Sequence, residues 1–346
     1  MRKRWNLLAI TASAALLLTG CAGFGGIQLD SVGEKDSVSY FKVALNQSES
    51  HPSFKALEKF AKDVKERTNG RYEIEVFPHA QLGSQQEVLQ YVKSGAIEMA
   101  IVSGTQLENI NQDFRVLNMP TTFSSIDHQM NVLQTPKIVG DLFSSLEDKE
   151  NITVLGGYTQ GSRHIYTTFG PVKTPADLAG KKIRVQESDM HIKMIELMGG
   201  SATPLSYGEV YSALQAGVLD GAENNLVSFN TARHMEVAPY LSFTNHLVGL
   251  DYMIMRHDLL QAMPEADREI LYSAWYDSMD FHTKLWKEYT EESKAIAEKT
   301  GATFHDVDNE AFAEALAPIV DMFIANDRQR ELFNAIRATD VEGGKR

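Results

Sequence analysis

The sequence predicts an α/β fold built on an open, parallel-rich sheet covered by helices. Three observations carry that expectation. Strand-like and helix-like runs alternate from Val38 onward. Residues 181–225 read strand, helix, strand, helix, turn, which is half of such a layer. The chain has 346 residues, 43% hydrophobic and 23% charged, enough for two lobes of ordinary domain size in a soluble protein.

The chain opens on Arg2, Lys3 and Arg4, then an apolar run over 7–18. That is the pattern of a signal peptide over 1–20, and the run is too short for a membrane span of ~20 residues. Cys21, the one cysteine, closes the run Leu18-Thr19-Gly20-Cys21. The run resembles a bacterial lipobox, in which the cysteine is lipidated and becomes the new N-terminus. The alternative is an idle thiol beside an ordinary cleavage site. Residues 21–37 are polar and contain glycine, which suits a tether. The net charge is −13, and removing the leader makes it more negative. An acidic surface argues against nucleic acid.

The folded part is expected to begin with a buried strand over 38–45, ending at Asn46. Pro52 opens a helix with Phe54, Leu57, Phe60 and Val64 on one face. A strand follows over 72–77. Next come a helix carrying Val88, Leu89 and Val92, and a strand over 98–102. Residues 116–123 read as a connection, and 126–146 as helix interrupted near Pro136. A short strand over 152–155 is separated from a second piece, 158–169, which carries Arg163.

In 181–225, Ile183 and Val185 share one strand face and Arg184 takes the other. Gly199-Gly200 stops the first helix, and Gly217 stops the second, which begins near Tyr207. A short helix is expected over 229–234, then strand-like runs over 240–245 and 247–256. Between Pro264 and Gly301 there is neither proline nor glycine. A single helix there would run on the order of 50 Å at 1.5 Å per residue; two helices are the alternative. One or two amphipathic helices occupy 310–336, and 341–346 is a loose tail.

Arg184 and Asn224 fall at the carboxyl ends of strands, where open α/β sheets place ligands. Arg offers a fork matched to a carboxylate, and Asn both donates and accepts. Arg184 could equally pair with Asp177 or Glu187. No G-x-S-x-G, H-E-x-x-H, C-x-x-C or phosphate-binding loop is present. The ten histidines are scattered, so no metal site and no cofactor is expected. Asp177, Glu187, Asp189, Glu209, Asp220 and Glu223 cluster in sequence, but carboxylates near helix starts commonly act as caps.

The runs KKIRVQES and SYGEVYSALQAGVLDGAENN resemble the solute-binding subunits of tripartite ATP-independent periplasmic (TRAP) transporters, the dicarboxylate-binding-protein-like family. The resemblance extends from about Tyr40 into the C-terminal helices. It implies a two-lobe periplasmic-binding-protein-like fold with a hinge and a long helix bridging both lobes. Residues 38–160 with about 249–290 would form lobe I and 161–248 lobe II, with 291–346 packed on the lobes.

The resemblance also implies ligand contacts. Arg184 would clamp a ligand carboxylate, with Arg163 on the same or a neighbouring group. Asn224 would bond the ligand from the far side, Tyr207 would pack against it, and Asn46 would be a first-lobe polar contact. Gln85 and Ser103 stand where some members have acidic contacts. The expected function is capture of a small organic acid for a permease of small and large membrane subunits, without chemistry. The motif wording is closest to members that take hexuronates. A C4-dicarboxylate is the runner-up, and an enzyme acting on sugar acids or a subunit serving a sensor kinase are rivals.

Overall fold

The computed structural model describes residues 38–340. The leader, Cys21, the tether and the final tail lie outside the described residues.

Among the described residues nine strands form one sheet: β1 (Ser39–Ala44), β2 (Tyr72–Phe77), β3 (Met99–Ser103), β4 (Ile152–Thr167), β5 (Lys182–Val185), β6 (Ser201–Pro204), β7 (Gly221–Asn224), β8 (Tyr240–Arg256) and β9 (Thr303–His305). Their order is β2-β1-β3-β8-β4-β7-β5-β6, with β9 beside β8. The two outer parts are parallel, β2-β1-β3 and β7-β5-β6. The middle pairs, β3-β8, β8-β4 and β4-β7, are antiparallel. Alternating elements foretold the outer parts. They gave no sign that two long strands would run against each other between them.

Those two strands are where the sequence expectation changes most. β4 is one strand of 16 residues, not two pieces. β8 is one strand of 17. Gly156, Gly157 and Gly161 look like breaks in sequence, yet the ladder passes through them by register shifts at Val154/Gly156, Thr159/Ser162 and Arg163/Ile165. Bulges of this kind re-aim side chains without ending the pairing.

The sheet carries separate cores. One gathers Phe41, Phe60, Ile101, Tyr158, Tyr252 and Trp275 around the β2-β1-β3 part. Two others flank the β7-β5-β6 part, one around Ile183, Val185 and Met194 and one around Tyr166, Leu214 and Phe229. The uninterrupted run after Pro264 is a single helix, Glu265–Thr300, of 36 residues, so about 54 Å long. Leu271, Trp275 and Met279 lie in the first core and Ala297 in one of the others. The helix therefore bridges both parts.

Smaller differences have local causes. The helix expected at 229–234 starts earlier, as Leu226–Thr231, because the Asn225 side chain accepts from Ser228 N at 2.7 Å and caps it. The C-terminal region holds three helices, Asn309–Leu316, Ile319–Phe323 and Asp327–Ala338. Pro318 separates the first two, and an Asn326 cap begins the third. Among the described residues no helix is long and apolar enough to cross a membrane.

Candidate functional site

β5 is four residues long, and its alternation decides the site. Ile183 and Val185 enter the core, while Arg184 points the other way into a cavity of about 230 Å³. Arg184 is only 3% exposed. Its Nε donates to the Leu205 carbonyl at 2.8 Å. The carboxylates that sequence offered as partners are occupied or apart. Asp177 accepts from the Lys173 and Thr174 amides at 2.8 and 2.9 Å, and Glu187 lines the cavity without an ion pair. Among the described residues, the ion pairs include none to Arg184. Burial lowers the pKa of this guanidinium, partly opposed by the more distant Glu223.

Arg163 is differently placed. It sits between two of the β4 bulges and is 2% exposed. Its Nε and Nη2 donate to the Glu223 carboxylate at 2.6 and 2.7 Å, and its Nη1 donates to Asn224 Oδ1 at 2.8 Å. This is a bidentate fork on a buried carboxylate. Burial would raise the Glu223 carboxyl, but Arg163 and the His246 contact outweigh it and hold it well below the usual range. Glu223 does not line the cavity; it neutralises Arg163 from behind. The pair cancels, and Arg184 remains as the uncompensated buried cation.

Asn224, Tyr207, Asn46 and Gln85 line the same cavity as the two arginines. Ser103 does not. Its hydroxyl donates to Gln186 Oε1, and its amide donates to Gln85 Oε1 at 3.0 Å. Ser103 therefore positions two glutamines of the wall instead of facing the space itself.

Two wall atoms are buried without a hydrogen-bond partner, Asn46 Oδ1 and Gln47 Oε1, while the Tyr207 hydroxyl has Ser228 beside it. Unpaired buried polar groups carry a desolvation cost of about 1–3 kcal/mol each. A hydroxyl, which both donates and accepts, is the kind of group that suits such atoms.

Asp251 and Gln160 also line the cavity, and Gln160 Nε2 donates to Asp251 Oδ2 at 2.7 Å. Burial pushes the Asp251 carboxyl up to about 7, opposed by Arg163. The sequence reading missed Gln47, Gln160, Gln186 and Asp251. For Asp251 a signal existed: it is the one acidic residue in the apolar run 247–256. Two more of the clustered carboxylates have structural partners. Asp220 accepts from Lys182 N at 2.7 Å, and Glu209 accepts from Ser206 Oγ at 2.5 Å. Among the described residues no cluster suits a metal ion.

Among the described residues, the site is a polar cavity lined from both parts of a bulged sheet, with Arg184 as a buried cation free of an ion pair, which is an arrangement suited to holding a small anion. Residues 43–327 match the model of the family described as bacterial extracellular solute-binding protein, family 7. The chain belongs to that family and is a TRAP solute-binding protein. It is 36% identical to a solute-binding protein of Chromohalobacter salexigens over 82% of this chain and 84% of that one. A TRAP periplasmic solute-binding protein from Anaerococcus prevotii, solved with bound glucuronate, superposes with a TM-score of 0.85. Its identity is 34%, covering 87% of this chain and 98% of that one. One from a Bradyrhizobium species, solved with galacturonate, gives 0.83 at 31% identity, covering 87% and 100%.

Proposed function

We propose that this chain captures a hexuronate, with its carboxylate on Arg184 and its hydroxyls against the Asn46, Gln47 and Tyr207 wall. The observation that carries the reading is the charge arithmetic. The cavity offers one free guanidinium, because Glu223 neutralises Arg163. A C4-dicarboxylate needs a cation at each end, and the cavity wall offers no second unpaired one. A sugar acid needs one cation and many neutral partners. The uronates carried by two similar solved proteins agree with this.

Arg163 and Asn224 complete the carboxylate end, and Gln85 contributes to the opposite wall, held by Ser103. The two parts of the sheet, 38–160 with about 249–290 and 161–248, act as lobes that close by hinge motion along β4 and β8. Of the C-terminal segment, residues 291–340 pack on the lobes. The protein returns its ligand unchanged to a permease of small and large membrane subunits. Lipidated Cys21 anchors it on the extracytoplasmic side, and a Cys21→Ala variant that stayed on membranes would argue against that anchor.

A thermal-shift panel tests the ligand. Glucuronate or galacturonate at about 100 times its dissociation constant stabilises by ~2.7 kcal/mol, a clear rise in melting temperature. Shifts with malate, succinate or fumarate and none with any uronate would overturn the reading.

A further inference from the structure

We propose that the site takes a uronate bearing a second, neutral sugar unit, with the uronate in the Arg184 cavity and the second unit in an adjoining one. The inference rests on the hexuronate reading above.

A second cavity of about 290 Å³ adjoins the first and shares Asn46, Gln47, Ala80, Tyr207 and Gly208 with it. The main cavity alone is below the ~300–1,000 Å³ typical of ligand pockets. The two together fall within that range. The shared wall is also where the unpartnered groups stand. Gln47 is 5% exposed with Oε1 unsatisfied, and Asn46 Oδ1 is likewise buried without a partner. Hydrogen-bonding capacity is therefore concentrated between the two spaces, where a glycosidic link and its flanking hydroxyls would pass.

The second cavity has the chemistry of a neutral sugar site. Tyr207, Tyr211 and His234 approach from one side, and Ser48 and His79 from the other. Aromatic faces suit the apolar face of a sugar ring, and the hydroxyl and amide groups suit its edge. No lysine or arginine lines this space. His79 already pairs with Glu49 at 2.5 Å. A second carboxylate would find no free cation there, which selects a neutral unit over a second uronate.

The test is calorimetric titration of the full chain with four probes. These are glucuronate, glucuronosyl-glucose, glucosyl-glucuronate and cellobiose. Two variants, Ser48→Trp and Ala232→Trp, fill the second cavity at residues that do not line the first. We expect glucuronate and at least one uronate disaccharide to bind the wild type, and cellobiose not to bind. Each variant should weaken the disaccharide by about tenfold or more and leave glucuronate within about threefold. Retained glucuronate binding shows that the variants fold.

Glucuronate binding without either disaccharide would overturn the inference alone. So would disaccharide binding that both variants leave intact, or equal loss of both ligands in both variants. If no uronate of either size binds, the hexuronate reading falls first and the inference falls with it.

Discussion

At the scale of single residues, the site is a matter of which charges are already paired. Arg184 and Asn224 were legible in the sequence because each stands at or near the carboxyl end of a short strand in a turn-rich segment. Glu223 was visible too, but its role was not: only the bulged path of β4 brings Arg163 onto it. Buried titratable groups also set the pH response of the fold. Burial lowers His51, His164, His191 and His234 to about 3 each. The unfolded chain takes up these protons near 6.5. Their stabilising contribution is thus present above that pH and lost as pH falls toward 3. Burial pushes Asp251 and Glu108 up to about 7. Their contribution has the opposite sign: it is present below about 4 and lost as pH rises toward 7. The histidines outnumber the carboxylates, so net stability should fall on acidification from pH 7 to pH 5. Urea denaturation at the two pH values measures this, and a higher midpoint at pH 5 would contradict it.

At the scale of elements, periodicity served the helices well and the long strands badly. The single helix Glu265–Thr300 was legible from the lack of any breaker over its length. β4 was not, because its glycines carry the same local signal whether a strand ends or bulges. What decides between them is tertiary. Gly161 holds a φ of +57°, and a Cβ there would overlap the Trp286 indole of the long helix. The glycine lets that helix lie close against β4, two residues before Arg163. Gly161→Ala should cost about 1–3 kcal/mol through backbone strain and overpacking. Scanning calorimetry reads this as a lower melting temperature, and an unchanged value would remove the close approach from the account.

At the scale of the whole molecule, an acidic chain binds an anion because the relevant charge is local. Repulsion from surface carboxylates is screened beyond ~8–10 Å, whereas Arg184 stands buried at the wall of a cavity. The outer parts of the sheet and the bridging helix were legible from the chain, and six of the expected contact residues line the cavity. The antiparallel middle was not, since strand pairing across distant segments leaves no local pattern. That middle carries Arg163 and Asp251, and so decides how many cations are free. The most direct measurement is calorimetry of glucuronate binding to the wild type, Arg184→Ala and Arg184→Lys. A carboxylate left unpaired in the closed cavity predicts a loss of about 2–5 kcal/mol for the alanine variant. The lysine variant should also bind more weakly, because a point charge does not reproduce the guanidinium fork. Wild-type affinity in both variants would contradict the assignment of Arg184 as the seat of the ligand's carboxylate.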